Sequence, residues 1–283
     1  MEVLTEYKFL NPISQINQNT SSKDIGGKAY NLAKIRNLGL NIPKTFVIPV
    51  SIFDNFIKKP AIIKLLEEVN FDNLFEKVDS ILEYLKNTET QNKTELKKLL
   101  IEDFQLIDFK KMAIRSSANV EDGNKYSFAG QFDSVLNVKN DLNSIVNAIY
   151  QVYYSVFTIR SISYCLANNI NPSVMSMAVI IQKMIPSLYS GTSFTKDILT
   201  NTNNEIIIES TGEGGSKVVD GSGITNVYKF NKENIINSRG PSFIKKLAKL
   251  SLGIEANYQI PLDIEWAFDG KDLFILQTRA ITT

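Results

Sequence analysis

The closing segment of the chain is the stretch that most constrains the fold. Residues 261–279 read PLDIEWAFDGKDLFILQTR, in which apolar and polar residues alternate on both sides of an Asp-Gly pair. This is the pattern of two antiparallel strands joined by a tight turn. Because side chains alternate between the faces of a strand, Asp263 and Glu265 share one face of the first strand. Gln277 and Arg279 likewise share one face of the second. The sequence therefore predicts a β-hairpin with four polar groups that would be costly to bury without partners.

The length of the turn at residues 269–272 decides whether these four groups meet. A two-residue Asp-Gly turn, which sequence preference favours, would put Gln277 on the face opposite Glu265. A loop of three or five residues would instead pair Glu265 with Ile275. In that register Asp263 faces Gln277 and all four groups converge. We expect the odd loop, because carboxylate and amide oxygens suit Mg²⁺. The alternative is a solvent-exposed polar face.

A second stretch places a cation where a buried strand ends. Residues 111–133 read KMAIRSSANVEDGNKYSFAGQFD, in which an apolar strand runs into Arg115 and two serines. A guanidinium group offers a fork of donors that suits phosphate oxygens. The small and glycine-bearing loop 116–131 suits a segment that closes over phosphates. The competing interpretation is a structural ion pair of Arg115 with Glu121 or Asp122.

The segment IGGKAYNL opens a predicted helix that runs to about residue 39. Gly26 and Gly27 let the backbone approach a ligand closely, and free amides at a helix start favour an anion. Lys28 adds a positive charge. The alternative is an ordinary helix start with a solvated lysine. The segment is not a P-loop, because no Ser or Thr follows the lysine.

Three side chains stand out within apolar strands. Gln182 interrupts the strand VIIQKMI, and Met184 follows it. A thioether at that place suits packing on a purine ring, although such a methionine is more often part of the core. Glu209 ends the strand EIIIES, where it either accepts from a ribose or amine or lies on the surface. The glycine-rich run at residues 211–223 suggests close backbone approach or a mobile turn.

Composition excludes several kinds of chemistry. The 283 residues include no histidine, which excludes a Ser-His-Asp triad, a His-ligated metal and a phosphohistidine within this sequence. Cys165 is the only cysteine and is expected to be a buried structural thiol. The formal net charge of +1 gives no sign of nucleic-acid binding. No leader pattern and no apolar run of about 18 residues is present, so we expect a cytoplasmic protein without membrane contact.

Strands and helices are mixed without strict βαβ alternation, so we expect an α+β fold with two lobes. Residues 1–107 are expected to form the N-terminal part of the first lobe, with a helical insertion at about 51–107. Residues 108–172 would complete that lobe and would include the phosphate-covering loop 116–131. Residues 173–283 would form the second lobe.

Four segments, taken in order, resemble one family. They are DIGGKAYNLAKIRNLGLNIPKTFVI, AIRSSANVEDGNKYSFAGQFDSVLNV, VIIQKMIPSLYSGTSFTKD and IEANYQIPLDIEWAFDGKDLFILQTR. They are similar to the nucleotide-binding domain of phosphoenolpyruvate synthase and pyruvate phosphate dikinase. That domain has an ATP-grasp type fold and binds ATP between two lobes. The resemblance runs from about residue 20 to residue 282, and the helical block is its least specific part.

The resemblance implies roles for individual residues. Lys28 and Arg115 would meet the terminal phosphates with Arg279 nearby, which makes these three the expected catalytic cations. The expected metal site, for Mg²⁺, is Asp263, Glu265 and Gln277. Together with the residue-based reasoning, the predicted ATP contacts are Gly26, Gly27, Lys28, Arg115, Ser116, Gln182, Met184, Glu209 and Gln277.

The resemblance also implies a reaction and a partner. In these enzymes a pyrophosphoryl group passes from ATP to a histidine on a separate swivelling domain, is then split to phosphate and phosphohistidine, and AMP is the nucleotide product. Because this sequence has no histidine, we expect the histidine domain in cis beyond Thr283 or in trans. The final acceptor is a small molecule bound elsewhere.

The sequence leaves several alternatives open. It is compatible with an excised domain, a split subunit or a descendant with another acceptor. The family's FT-x-D-P and Q-x-R-P prolines are Ile198 and Ala280 here, which weakens full equivalence. Two other functions remain as alternatives: a stand-alone ATP-grasp kinase or ligase acting directly on a small acceptor, and a nucleotide-sensing module without turnover.

Overall fold

The computed structural model describes residues 9–16, 20–121, 128, 130–198, 200–212 and 225–281. The chain divides into two compact units. Unit 1 takes its residues from Met1–Tyr30 and Lys44–Met184, and unit 2 from Asn31–Pro43 and Ile185–Thr283. The predicted mixture of helices and strands in two lobes is therefore confirmed.

Unit 1 is built on a five-stranded antiparallel sheet with the order β1-β2-β5-β3-β4. The strands are β1 (Asn11–Pro12), β2 (Thr45–Ile48), β3 (Lys111–Ala118), β4 (Ser134–Lys139) and β5 (Met177–Lys183). The central strand β5 is buried along almost its whole length, which agrees with its run of apolar residues. Strands β3 and β5 therefore hold their polar residues at fixed positions beside the core.

Helices cover the sheet of unit 1. They are α2 (Val50–Phe56), α3 (Pro60–Glu68), α4 (Leu74–Asp103), α5 (Leu142–Tyr154) and α6 (Ile159–Ala167). Helix α5 packs on β3 and β4, and α4 packs against α3, α5 and α6. The side chain of Asp141 caps α5 by accepting a hydrogen bond from the Ser144 amide. The helical block predicted at about 51–107 thus corresponds to α2, α3 and α4.

Unit 2 contains a second five-stranded antiparallel sheet with the order β10-β9-β6-β7-β8. Its strands are β6 (Tyr189–Phe194), β7 (Glu205–Gly212), β8 (Thr225–Asn231), β9 (Leu262–Phe268) and β10 (Leu273–Ala280). Helix α7 (Ser242–Tyr258) packs on β6 and β7. The apolar face of the predicted hairpin lies in this core, where Ile264 and Trp266 are fully buried.

Helix α1 (Ser22–Asn37) contributes residues up to Tyr30 to unit 1 and the remainder to unit 2. The boundary between the lobes differs from the one expected at 172/173, since the structure divides the chain at 184/185. The reason is that β5 pairs with β2 and β3 and so belongs to the first sheet.

The predicted loop 116–131 begins later than the sequence suggests. Residues 116–118 continue strand β3, where they pair with β5, and the chain leaves the sheet after Ala118. Residues 122–127 and 129 lie outside the described part of the chain, as do residues 213–224, which include most of the glycine-rich run. Ser116 is therefore fixed within a strand.

The predicted hairpin forms, but the odd loop was wrong. Leu273 pairs with Phe268, so four residues, 269–272, make the turn. Between Ile275 and Gln277 the register shifts by a bulge. Beyond it, Gln277 lies opposite Glu265 and Arg279 lies opposite Asp263. The four groups therefore share one face because of the bulge in β10. A turn with an even number of residues would by itself place Gln277 and Arg279 on the opposite face, and the extra residue of the bulge reverses that placement.

Within the described ranges, no helix combines the length and the apolar character that crossing a membrane requires.

Candidate functional site

The Gly-Gly-Lys segment forms a break inside helix α1. Gly26 has φ 72° and ψ 165°, whereas the residues on both sides are helical. A Cβ atom at Gly26 would lie 1.9 Å from the carbonyl oxygen of Ser117, so only glycine fits there. The helix begins earlier than expected, at Ser22, where the Asp24 carboxylate accepts from the Ser21 amide at 3.0 Å. The break brings α1 directly against β3.

Lys28 is held by two groups of β3 and the segment that follows it. Its Nζ donates to Oε1 of Glu121 at 2.8 Å and to Oγ of Ser116 at 3.1 Å. The other oxygen of Glu121 accepts from the Ala118 amide at 3.1 Å. The Glu121 side chain is only 8% exposed, so this is a largely desolvated ion pair. The alternative of a solvated lysine therefore does not describe this residue.

The guanidinium of Arg115 contacts a polar residue of the neighbouring strand β5. Its guanidinium donates to Oε1 of Gln182 at 3.3 Å, and the Gln182 amide donates in turn to Oγ1 of Thr45 at 3.3 Å. Gln182 and Thr45 are each 3% exposed and lie opposite each other on β5 and β2. Glu121, one predicted partner of Arg115, binds Lys28, and Asp122 lies outside the described residues. Gln182 thus lies against a cation.

Met184 directly follows β5 and is partly exposed. Its amide donates to the carbonyl of Lys111 at 3.1 Å, which extends the contact between β5 and β3 by one residue. Its backbone position is therefore fixed by the sheet that carries Arg115.

On one face of the unit 2 sheet, a row of directly opposed residues crosses four strands. Gln277 lies opposite Glu265, Glu265 opposite Thr192, and Thr192 opposite Glu209. Directly opposed residues of antiparallel strands point to the same face with Cβ atoms about 5 Å apart. The sheet therefore brings Glu209 onto the face that carries the hairpin groups. Gln277 is buried, Glu265 is partly buried and Glu209 is exposed.

Asp263 and Arg279 form a cross-strand ion pair beside this row. Oδ2 of Asp263 accepts from Nε of Arg279 at 2.6 Å and from its Nη2 at 2.5 Å. Burial raises the pKa of the Asp263 carboxyl above its usual value, and the carboxylates of Glu265 and Glu209 add to this effect. The guanidinium of Arg279 opposes it.

The donor set of this face fits a hard divalent cation. Asp263 is 6% exposed, and in the part of the chain that the structure describes its Oδ1 atom has no hydrogen-bond partner. Carboxylate oxygens of Glu265 and the amide oxygen of Gln277 share its face. Among the described residues no group of three or more Asp, Glu, His or Cys is arranged around a metal position. Asp263 and Glu265 are the one or two carboxylates through which Mg²⁺ usually binds, with water and substrate oxygens completing its shell.

Several residues of these clusters gave little or no signal in the sequence. The sequence suggests Glu121 only as a partner of Arg115, and no local pattern marks Thr45 or Thr192. Each is identified by strand pairing or by a contact between segments far apart in the chain. Cys165 is fully buried and its pKa is raised to about 12, which agrees with a structural thiol.

The segments that carry these residues match a family model and several known proteins. The family model described as "Pyruvate phosphate dikinase, AMP/ATP-binding domain" matches residues 22–240 and 225–283. A probable phosphoenolpyruvate synthase of Methanocaldococcus jannaschii is 28% identical over 93% of this chain and 26% of its own length. The phosphoenolpyruvate synthase of Pyrococcus furiosus is 26% identical over 98% of this chain and 44% of its own length. A rifampicin phosphotransferase of Bacillus cereus is 29% identical over 92% of this chain and 34% of its own length.

The chain thus spans between 26% and 44% of the length of these curated relatives. Among solved structures, D-alanyl-alanine synthetase A of Vibrio cholerae covers 88% of this chain with 54% of its own, at 5% identity and a TM-score of 0.36. That structural similarity is too low to support any conclusion beyond the strand orders described above.

Proposed function

Because this chain belongs to the pyruvate phosphate dikinase AMP/ATP-binding domain family, we propose that it binds Mg-ATP and transfers a pyrophosphoryl group to a histidine on a separate domain or chain. The histidine nitrogen forms a bond to the β-phosphorus, and the bond between that phosphorus and the oxygen bridging it to the α-phosphorus breaks. The electron pair of the broken bond leaves with AMP. The final acceptor of the phosphoryl group is a small molecule bound elsewhere.

The observation that carries this proposal is the bulged hairpin of unit 2. Asp263, Glu265 and Gln277 present oxygens on one face, and the bulge in β10 is what aligns Gln277 with Glu265. A solvent-exposed polar face would not require Asp263 and Gln277 to be buried, yet both are 6% exposed. Oδ1 of Asp263 has no hydrogen-bond partner among the described residues, and a buried oxygen of this kind is maintained where a ligand satisfies it.

The cations of unit 1 supply what phosphoryl transfer requires from a protein, which is mainly charge neutralisation and positioning. Lys28 would meet the terminal phosphates together with the hydroxyl of Ser116, which it already contacts. Arg115, oriented by Gln182, would bind phosphate oxygens through its guanidinium group. The backbone at Gly26 and Gly27 would approach the nucleotide closely.

Asp263, Glu265 and Gln277 would hold Mg²⁺, which when bound neutralises charge on the phosphate oxygens. Arg279 would remain paired with Asp263 and would oppose the rise that burial causes in the pKa of that carboxyl. Glu209 would accept from the ribose or an amine, and Met184 would pack on the purine ring.

The test is product analysis. The chain is incubated with Mg-ATP, first alone and then with a separately expressed histidine-bearing domain, and nucleotides are separated by chromatography. We expect AMP only when the histidine domain is present. Formation of ADP with a small acceptor would favour a stand-alone kinase or ligase, and binding of ATP without turnover in either condition would favour a nucleotide sensor. Failure to bind ATP at all would contradict the proposal.

Gln182→Met is expected to lower AMP formation about ten- to a hundredfold, because a hydrogen bond to a charged group contributes about 1.5–3 kcal/mol and Arg115 would lose the acceptor that Gln182 supplies. Preference for ATP over GTP should not change if Gln182 acts through Arg115. A change in base preference without a change in rate would assign Gln182 to the adenine instead. Gln151→Met, an exposed position on α5, is the matched control.

Glu121→Gln is expected to tighten ATP binding about tenfold, because it removes a carboxylate that competes with phosphate for Lys28. The amide retains an acceptor for the Ala118 amide, so the segment after β3 should stay in place. The dissociation constant is measured by isothermal titration calorimetry. Glu102→Gln, an exposed position in α4, should bind ATP as the unmodified chain does. Weaker binding by Glu121→Gln would show that Glu121 positions Lys28 in the complex.

A further inference from the structure

We propose that Ser117 is a positioning residue whose buried hydroxyl holds helix α1 open at Gly26 and thereby directs Lys28 towards its ligand. This inference rests on the proposed function, because it treats Lys28 as a phosphate ligand. The observations that carry it concern the backbone of α1.

The hydroxyl of Ser117 replaces one hydrogen bond of the helix. Its Oγ accepts from the Ala29 amide at 3.0 Å and donates to the Ile25 carbonyl at 2.9 Å. In a regular α-helix the amide of Ala29 would donate directly to the carbonyl of Ile25, four residues earlier. The serine side chain therefore stands between the two groups, and a side chain inserted into the helical ladder is a known cause of a kink.

The conformation of Gly26 fits the same contact. Its positive φ lies outside the helical region, and a Cβ atom at this position would have three atoms of Ser117 as its nearest neighbours. Ser117 is fully buried, so its hydroxyl and not bulk water satisfies the Ile25 carbonyl and the Ala29 amide. The break in α1 and the serine that fills it are therefore two parts of one arrangement.

Lys28 lies inside the turn that this arrangement opens. Each residue of a continuous α-helix is rotated by about 100° from the one before it, so closing the break would change the direction of every side chain on one side relative to the other. As it stands, Lys28 reaches Oγ of Ser116, the neighbour of Ser117 in β3. One serine thus sets the backbone that carries the lysine, and the other meets its amine.

The competing explanation is that Ser117 only contributes to stability, as any buried and fully bonded hydroxyl does. Ser161 offers a matched comparison in the same unit. It is fully buried, and its Oγ donates to the carbonyls of Val156 at 2.6 Å and Thr158 at 3.0 Å. It lies in α6, remote in sequence from α1 and β3.

The experiment measures the dissociation constant of Mg-ATP and the melting temperature of the full chain by calorimetry. Ser117→Ala and Ser161→Ala are both expected to lower the melting temperature. Only Ser117→Ala is expected to weaken ATP binding, by about tenfold, while Ser161→Ala stays within about twofold. Equal weakening in both variants, or unchanged binding by Ser117→Ala, would overturn the inference.

A double-mutant cycle tests whether Ser117 acts through Lys28. In a Lys28→Met background, Ser117→Ala is expected to cause no further loss of ATP affinity, because the side chain that it directs is already gone. Additive losses would assign Ser117 a role that does not depend on Lys28 and would contradict the inference.

Ser117→Cys is measured in parallel, so that the inference remains testable if the alanine variant does not fold. Cysteine keeps a side chain of similar size with a weak donor and acceptor. Its ATP affinity is expected to lie between those of the unmodified chain and Ser117→Ala. If Ser117→Ala does not fold, the affinity of Ser117→Cys is expected to lie within about tenfold of the unmodified chain. A loss as large as that of Lys28→Met would contradict the inference.

If the unmodified chain does not bind ATP, the proposed function fails and this inference fails with it, whereas intact binding by Ser117→Ala overturns the inference alone.

Discussion

Replacement of Arg115 by alanine is expected to leave the protein folded and to lower AMP formation by about a thousandfold or more. An arginine that stabilises charge in a phosphoryl-transfer transition state typically contributes factors of 10³–10⁵. Arg115 lies within β3 and is partly exposed, so its removal opens no large cavity. The loss should appear mainly in the rate, because the charge to be neutralised is greatest in the transition state.

The measurement compares AMP release in the presence of the histidine domain with thermal unfolding of the same samples. Arg160→Ala is the control, since Arg160 is also in unit 1 and binds the Asp133 carboxylate at 3.2 Å on the surface. Such an exposed pair contributes little to stability. We expect that variant to keep full activity. Full activity of Arg115→Ala would show that Arg115 does not act in the site. Loss of cooperative unfolding would show that the substitution disrupts the folded structure.

Glu265→Gln is the second change with a large expected effect. It removes one of the two carboxylates in the proposed Mg²⁺ site while keeping the size of the side chain. A bound metal supplies several kcal/mol of transition-state stabilisation, so we expect AMP formation to fall at least about a hundredfold. Because glutamine keeps an oxygen ligand without its charge, excess Mg²⁺ should restore part of the activity.

AMP formation is therefore measured over a range of Mg²⁺ concentrations. The control is Glu233→Gln, an exposed carboxylate of unit 2 that lies in the segment after β8. It should show the Mg²⁺ dependence of the unmodified chain. A Glu265→Gln variant with unchanged Mg²⁺ dependence would contradict the metal assignment, even if its rate were reduced.

The elements with strong local patterns were predictable. Helix α5 follows the amphipathic period of its apolar residues, and the hairpin of β9 and β10 follows the alternation around an Asp-Gly pair. The boundary between the units was placed too early, because the sequence of β5 shows that it is a buried strand without showing which sheet it joins. Pairing with β2 and β3 decides that.

The candidate site was predictable as a set of residue types. Lysine after two glycines, arginine after an apolar run and paired carboxylates each suggested their chemistry. The predicted strand end at Arg115 was wrong, because β3 continues to Ala118. The partners of these residues were not predictable. Glu121 binds Lys28 across a separation of 93 residues, and Gln182 binds Arg115 across 67. No local pattern encodes such contacts, because they depend on which strands become neighbours.

The hairpin shows the division between the two sources of information most clearly. Side chains alternate along any strand, so Asp263 and Glu265 share a face whatever β9 pairs with. The same holds for Gln277 and Arg279 in β10. Whether these two faces coincide depends on strand pairing, since a shift of one residue in pairing exchanges the faces of a whole strand. Here the bulge between Ile275 and Gln277 makes that choice, and the alternation of apolar and polar residues does not encode it.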